Sequence, residues 1–504
     1  MQGLSAGGTG RGGAKFAELP DARHYTYSDV EAVSARFALA LRSLGVHPGD
    51  RVAVQVEKSI EALMLYLGSI RAGAVFLPLN TAYTPTEIAY FLSDAEPALF
   101  VCDPARAGEL RPHAEAAGAR LETMGVWKDD ETFAGSLFEL VPDCANDFVD
   151  TPRGPDDLAA ILYTSGTTGR SKGAMLSHDN LLSNSQVLAD YWRFSSDDRL
   201  IHALPIFHTH GLFVATNVTL IAGGTLIFLP KFDVDAVIGA MPRATAMMGV
   251  PTFYTRLLAD ARLDRDLVRN MRLFVSGSAP LLAETHRQWR ERTGHAILER
   301  YGMTECSMNT SNPYDGERRA GTVGFPLPGV ELKVTDPETG SELPRGEIGV
   351  IRVRGPNVFK GYWRMPEKTA EELSPDGWLL TGDLGMIDEQ GYVVIVGRGK
   401  DLIISGGFNV YPKEIETEID RIPGVVESAV IGVQHPDFGE AVVAVIVPEN
   451  SAALDEADIL AALTDRLAKF KQPKRVFFVE TLPRNAMGKV QKNALRDTHA
   501  ELFQ

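Results

Sequence analysis

Cysteine is scarce in this sequence, with Cys102, Cys144 and Cys306 the only three in 504 residues. They stand too far apart for the short spacings of a zinc site. So few thiols exclude a disulfide scaffold and suit a reducing compartment, so a cytoplasmic location is expected. Positive charge is also in deficit. Fifty Lys and Arg against 66 Asp and Glu leave a formal charge of −16, a field that repels phosphate backbones and anionic bilayers and argues against nucleic acid and membranes as partners. The longest apolar stretch, residues 211–230, is broken by Asn217 and by Gly223-Gly224. It reads as a short buried helix, a turn and a strand over 225–229, not as a membrane span. The N-terminal MQGLSAGGTGRGGAK lacks an apolar core of secretory length and carries only Arg11 and Lys15 as basic residues. A flexible tail is expected there. No short fixed-period repeat occurs, which excludes a solenoid.

What is present is a large core-forming chain: 44% of residues are hydrophobic and 23% charged, at a length that predicts at least two domains. Apolar runs at 50–56, 74–79, 98–102, 158–163 and 225–229 alternate with helix-period segments such as 60–72, which suggests parallel βαβ units and an α/β fold. After Gly324 the texture changes to short strands at 330–335, 349–353, 378–383 and 391–396, a compact β-rich subdomain. Beyond the Gly397-Arg398-Gly399-Lys400-Asp401 segment, helical 414–420 and 454–467 with strand-like 425–433 and 441–447 form a small α+β unit. The expected division is 1–397 and 398–504.

Four segments carry chemistry. Thr164-Ser165-Gly166-Thr167-Thr168-Gly169-Arg170-Ser171-Lys172 follows an apolar strand, and its small hydroxyl and glycine residues let N–H and O–H groups converge on an anion beside the charge of Lys172. The spacing is not the Walker pattern, so a P-loop NTPase is excluded. Tyr301-Gly302-Met303-Thr304-Glu305 ends in a carboxylate suited to Mg²⁺ on a triphosphate. Thr381-Gly382-Asp383 with Arg398 offers an acceptor and donors to ribose hydroxyls. Lys489 lies in a basic C-terminal tract with Lys469, Lys471, Lys474, Arg475 and Lys492, which on an acidic protein suggests a polyanionic ligand. The strand before the loop and Lys172 at its end favour phosphate binding over a surface loop, whereas singly the Glu305 and Asp383 segments read first as solvated turns and the Lys489 tract also as a solvated helix face.

Together and in this order, from about Tyr25 to Arg496, the segments resemble the acyl-CoA synthetase branch of the adenylate-forming superfamily, whose relatives include firefly luciferase and peptide-synthetase adenylation domains. The resemblance implies a large N-terminal domain and a small mobile C-terminal domain meeting at a hinge, Lys400, and rotating between two half-reactions. It implies ATP, Mg²⁺ and coenzyme A as the small molecules handled. The loop from Thr164 through Ser165, Gly166, Thr167, Thr168 and Gly169 to Lys172 would grip the β- and γ-phosphates. Ser278, Ala279 and Pro280, with Glu299, Arg300, Tyr301 and Gly302, would hold the adenine side, and Asp383 and Arg398 the ribose. Glu305 would bind Mg²⁺ with Thr304 beside it. Lys489 would meet the charge that builds when a carboxylate attacks the α-phosphate. Gly406 and Gly407 would then let the pantetheine arm pass. Family lysines at the position of Lys489 are acetylated, so a lysine acetyltransferase and deacetylase are implied partners.

For the acid, Phe207-His208-Thr209-His210-Gly211-Leu212 and Val250-Pro251-Thr252-Phe253-Tyr254-Thr255-Arg256 occupy the places where the family lines its acyl pocket, and an Arg fork matches a second carboxylate. FHTHGLF, VPTFYTRLL and TECSMNTSNPYDGER resemble the malonate-activating members of the branch. That implies malonate as the acid, with methylmalonate also accepted. Arg256, helped by His208 and with Ser278 nearby, would bind the free carboxylate, and Thr209 and Met308 would bound the space at C2. The alternatives are a synthetase for another small, medium-chain or aromatic acid, or an adenylation enzyme loading a carrier protein. A nucleotide sensor without catalysis fits poorly with Lys172, Glu305, Arg398 and Lys489 all present. A monomer or small homo-oligomer is expected, and a native start upstream of Met1 stays open.

Overall fold

The computed structural model describes residues 12–125, 135–145, 148–164, 171–405, 408–449, 454–464, 466–485 and 488–503. One six-stranded sheet runs in the order Arg120–Thr123, Leu99–Cys102, Arg51–Gln55, Val75–Pro78, Leu158–Thr164, Lys172–Ser177. Its pairings are parallel except for the last, an antiparallel hairpin. The central strands are buried along nearly their whole length, which is why they read as continuous apolar runs rather than alternating ones. Helix Ile60–Arg71, capped by Ser59 whose side chain accepts from the Ala62 N–H, is buried at all twelve positions. It lies between layers: Tyr66 meets Phe76 of the first sheet and Phe213 of the helical segment His210–Thr216. Helix Tyr27–Ser43 closes on it across Gly68, where a Cβ would come 2.7 Å from the Phe37 Cβ and 2.9 Å from the Ser34 carbonyl.

The second sheet has nine strands, in the order Phe325–Pro326, Ser307–Ser311, Leu298–Met303, Leu273–Ser276, Ala246–Gly249, Arg199–His202, Thr225–Phe228, Lys15–Glu18, His24–Thr26. Of the expected N-terminal tail, residues 1–11 lie outside the described residues, and the remainder needs correction. Lys15–Glu18 is a strand parallel to Thr225–Phe228, and the carbonyls of Gly12 and Ala14 accept hydrogen bonds from Ser28 and Tyr27. Phe16 and Ala17 are fully buried, so two apolar residues at the end of a Gly-rich run are enough to complete a sheet edge. Within 211–230 the expected helix, turn and strand occur, but the helix opens as a π-turn, His210–Thr216, before the α-helix Asn217–Ala222. Gly211 forces this opening, because a Cβ there would sit 2.0 Å from the Pro205 carbonyl oxygen.

The β-rich region is a four-stranded antiparallel sheet, Glu331–Thr335, Gly349–Arg354, Leu379–Ile387 and Val393–Arg398. The chain leaves it at Arg398, turns through Gly399–Asp401 and enters a five-stranded sheet at Ile403–Ser405. That last sheet is built on the long pair Val425–His435 and Gly439–Pro448, with Arg475–Phe478 alongside, and has apolar clusters on both faces. Among the described residues no helix is long and apolar enough to cross a membrane.

Candidate active site

The hairpin of Leu158–Thr164 and Lys172–Ser177 places Thr164 opposite Lys172 at its mouth. Ser165, Gly166, Thr167, Thr168 and Gly169 lie outside the described residues. Lys172 Nζ sits 3.0 Å from Glu372 Oε1 and 4.1 Å above the centre of the Tyr362 ring. The Tyr362 hydroxyl contacts Glu372 Oε2 at 2.6 Å and Glu305 Oε1 at 2.9 Å. Glu305 stands at the tip of the hairpin of Leu298–Met303 and Ser307–Ser311, and its backbone carbonyl accepts from the Phe359 N–H. Burial pushes its carboxyl above the ordinary range. Among the described residues no cluster of three or more His, Cys, Asp or Glu is spaced to hold a metal. A single buried carboxylate therefore fits Mg²⁺ only where phosphate oxygens complete the coordination, as on a nucleotide. Thr304, beside Glu305, is half-buried. At Gly302 a Cβ would overlap the Ser307 carbonyl oxygen at 1.8 Å, so the bulge that aims this hairpin requires glycine.

On the ribose side, Asp383 and Arg398 are direct cross-strand partners, and Arg398 Nε pairs with Asp383 Oδ1 at 2.7 Å. The Tyr301 hydroxyl donates to Asp383 Oδ2 at 2.5 Å, which ties this pair to the Glu305 hairpin. Lys489 approaches the same group from the small domain. It lies on a tight turn closed by the Arg484–Val490 bridge, in which its own N–H donates to Asn485 Oδ1 and its carbonyl accepts from the Asn485 N–H. It is thus on a hairpin rather than a helix face. Crowding by the cleft walls and then the charge of Arg398 lower its ammonium to about 8. Gly488 has φ +74°, and a Cβ there would come 3.2 Å from Thr252 Oγ1, so the turn is seated on helix Pro251–Leu258 of the large domain. Lys400 is exposed within the Gly399–Asp401 turn, and Gly406 and Gly407 lie outside the described residues.

On the acid side, loop 203–209 returns over Gly211 and brings His208, Thr209 and His210 inward. His208 is pushed down to about 4 by burial and then by Arg300, so it is neutral at pH 7. Arg300 is 3% exposed, and its guanidinium packs on the bare Gly277, where a Cβ would come 2.4 Å from Cζ. Burial lowers it to about 9, still a cation at neutral pH. Its Nε and Nη2 have no hydrogen-bond partner, and Thr209 Oγ1, His210 Nε2, Ser276 Oγ and Glu299 Oε2 are likewise buried and unpaired. Buried polar groups are nearly always satisfied in native structures, so several orphans in adjoining segments mark a place that a polar ligand completes. Ser278, at φ +71°, lies with its hydroxyl 3.3 Å from His210 Nδ1, followed by half-buried Ala279 and exposed Pro280. Glu299, raised to about 8 by burial, keeps its proton at pH 7. Met308 is 2% exposed and reaches to within 2.7 Å of where a Gly302 Cβ would stand.

Arg256 is not placed with these residues. It is exposed, and no hydrogen bond or ion pair involves it among the described residues. The buried guanidinium beside His208 belongs to Arg300. Next to this group a cavity of about 290 Å³ opens between the two large sheets, lined by Phe207, Leu212, Phe232, Phe253, Lys58 and Lys231. Lys58 donates to the carbonyls of His202 and Leu229, at 2.8 and 2.6 Å, and contacts His202 Nδ1 at 2.9 Å. The other His202 ring nitrogen is 2.9 Å from the Gly211 carbonyl, so Lys58 and His202 fix the start of the π-turn. Lys58, His202, Tyr362 and Glu372 are not evident in the sequence. Each has a partner 57 to 200 positions away, and Glu372 in EKTAEEL reads as part of a solvated acidic helix.

Two family models match most of the chain. The AMP-binding enzyme family model matches residues 11–363, and the AMP-binding enzyme C-terminal domain model matches 414–489. MatB from Rhodopseudomonas palustris is 60% identical, with 100% of this chain and 99% of that one covered. The TM-score is 0.96 to its ATP-bound structure and 0.85 to its apo structure. The malonate–CoA ligase of Arabidopsis thaliana is 37% identical over 89% of this chain and 78% of its own length. A feruloyl-CoA synthase from an Amycolatopsis species is 39% identical over 94% and 93%.

Proposed function

Because the chain belongs to the AMP-binding enzyme family, we propose that it joins malonate to coenzyme A at the expense of ATP, through a malonyl-adenylate, and also accepts methylmalonate. The observation that carries this reading is Arg300, a buried cation with unpaired N–H groups beside neutral His208. A buried charge without a partner is costly, and the free carboxylate of a dicarboxylic acid supplies the partner that a monocarboxylic acid cannot. Arg256, which the sequence favoured for this carboxylate, stands exposed and apart from this group, while Thr209 and Met308 limit what C2 can carry.

The other carboxylate attacks the α-phosphorus of ATP. One P–O bond forms, the bond to the β-phosphate bridge breaks, and pyrophosphate leaves. Thr164 and Lys172, with Ser165 to Gly169, hold the β- and γ-phosphates, while Ser278 to Pro280 and Tyr301 hold the adenine side. Asp383 and Arg398, already paired across their strands, present an acceptor and donors to the ribose. Lys489, seated against the large domain near Asp383 and Arg398, meets the charge at the α-phosphate; such preorganised charge is typically worth a factor of about 10² to 10³ in rate. Glu305 would hold Mg²⁺, which neutralises phosphate charge when bound. In the second step the small domain turns about Lys400 and carries Lys489 away. The arm of coenzyme A passes Gly406 and Gly407, its thiol gives up its proton to solvent and the sulfur attacks the acyl carbon, a C–S bond forms, and the C–O bond to phosphate breaks to release AMP.

Acetylation of Lys489 by a lysine acetyltransferase, reversed by a deacetylase, removes its charge and stops the first step. The enzyme acts in the cytoplasm, as a monomer or small homo-oligomer, with large and small domains divided at 397/398. The second reading is a synthetase for an aromatic acid, favoured by the apolar walls that Phe207, Leu212 and Phe253 give the cavity. The test is to incubate the protein with ATP, Mg²⁺, coenzyme A and malonate and identify products by mass. Malonyl-CoA and turnover amounts of AMP, dependent on all four additions, are expected, with pyrophosphate release needing ATP, Mg²⁺ and malonate; malonate-independent AMP or no thioester would overturn the reading.

A further inference from the structure

The phosphate-facing lysine is held by an acid from a distant part of the chain. Lys172 and Glu372, 200 residues apart, pair at 3.0 Å with side chains 15% and 20% exposed. Glu372 is the last residue of the short helix Pro366–Glu372, and its orientation is fixed from below. Tyr362, 2% exposed, places its hydroxyl 2.6 Å from Glu372 Oε2 and offers its ring face to the Lys172 ammonium at 4.1 Å. Burial would raise the Glu372 carboxyl, but Tyr362 and Lys172 together hold it below its ordinary value, so it is an anion at neutral pH.

A polyphosphate that draws Lys172 away does not leave this anion stranded. Lys368, one turn earlier on the same helix, has its Nζ 3.1 Å from the same Glu372 Oε1. The carboxylate thus has a resident second cation, and the ammonium can exchange a carboxylate for a phosphate without either charge being left unpaired. An unpaired half-buried ammonium is the costly alternative in the ligand-free enzyme.

We propose that Glu372 is a positioning residue that parks Lys172 at the mouth of the phosphate loop and competes with bound polyphosphate for it, which eases the departure of pyrophosphate. This rests on reading Lys172 as a phosphate-gripping residue. Glu372 acts through Lys172 and is not itself in contact with the reacting atoms.

The test is calorimetric binding of Mg²⁺-pyrophosphate to the wild type, Glu372→Gln, Lys172→Gln and the double variant. Glutamine keeps one carbonyl acceptor for Lys172 and turns an N–H donor toward the Tyr362 oxygen while removing the competing charge. Glu372→Gln is expected to bind pyrophosphate about tenfold more tightly, the factor for one charge-assisted bond that no longer has to be broken. KM for ATP and kcat should fall together as product leaves more slowly. In the Lys172→Gln background the tightening should vanish. Glu372→Asp, charged but one methylene shorter, should rank between and serves where the glutamine variant folds poorly. Unchanged or weaker pyrophosphate binding in Glu372→Gln overturns the proposal, as does the same tightening without Lys172. If Lys172→Gln alone binds pyrophosphate as well as the wild type, the reading of Lys172 itself fails.

Discussion

Arg300 and Arg256 show what a residue's surroundings add to its identity. Arg256 lies in a segment that resembles malonate-activating relatives and interrupts an apolar helix entry, so the sequence favours it for the free carboxylate and leaves Arg300 to the adenine side. The structure buries Arg300 with two unpaired nitrogens and leaves Arg256 exposed. Linear sequence does not reveal which arginine loses its water, because that depends on Gly277 offering a bare backbone to the guanidinium. Arg300→Ala is expected to cut kcat/KM for malonate at least about a hundredfold, since a site built around a charged ligand loses its charge-assisted bond. Arg256→Ala should lose less, and equal or reversed losses in steady-state kinetics would reassign the carboxylate. Lys489 gives a second residue-scale prediction. In the proposed role its ammonium is the active form, and with that group lowered to about 8 adenylate formation should decline as pH rises through 8. Lys489→Arg, which stays protonated, should lose that alkaline limb in a pH series of malonate-dependent ATP–pyrophosphate exchange. Asp383, Arg398 and Glu305 were legible from their motifs because those motifs are local. Glu372 was not, because its role comes from a helix brought back onto the phosphate hairpin.

Elements divide in the same way. The buried parallel strands at 51–55, 75–78, 99–102 and 158–164 were readable, since burial on both faces writes a continuous apolar run. The strands Ile403–Ser405 and Arg475–Phe478 are three and four residues long, too short for any period to register, and Lys15–Glu18 is hidden behind glycines. The π-turn His210–Thr216 was read only as a helix, because its irregularity comes from the Pro205 carbonyl folded against Gly211. π-turns of this kind often occur at functional sites, and here the turn directs His210 inward. Gly211→Ala should therefore cost roughly 1–3 kcal/mol of stability or more by overpacking, read as a lower denaturant midpoint at unchanged slope. A wild-type midpoint would mean that the loop shifts freely and does not fix the histidines.

At the scale of the whole molecule, the small domain contributes Lys489 to a site whose other described groups stand on the large domain. The contact between the Gly488 backbone and Thr252 holds that arrangement. Gly488→Val adds both a left-handed strain and a clash at this seam. It should slow adenylate formation at least about tenfold, the cost of roughly one to three kcal/mol of strain at a position with φ +74°. Thioester formation from supplied malonyl-adenylate should be much less affected, and equal loss in both half-reactions would remove the seam from the account. In the proposed function this two-domain ligase selects a dicarboxylic acid through a buried cation, Arg300. The most direct measurement is a competition in which malonate, methylmalonate, succinate, acetate, butyrate, 4-coumarate and ferulate are supplied together at equal concentration with ATP, Mg²⁺ and coenzyme A, and the thioesters are quantified by mass. Malonyl-CoA should dominate, with methylmalonyl-CoA second; a predominance of feruloyl-, coumaroyl- or butyryl-CoA would contradict the account.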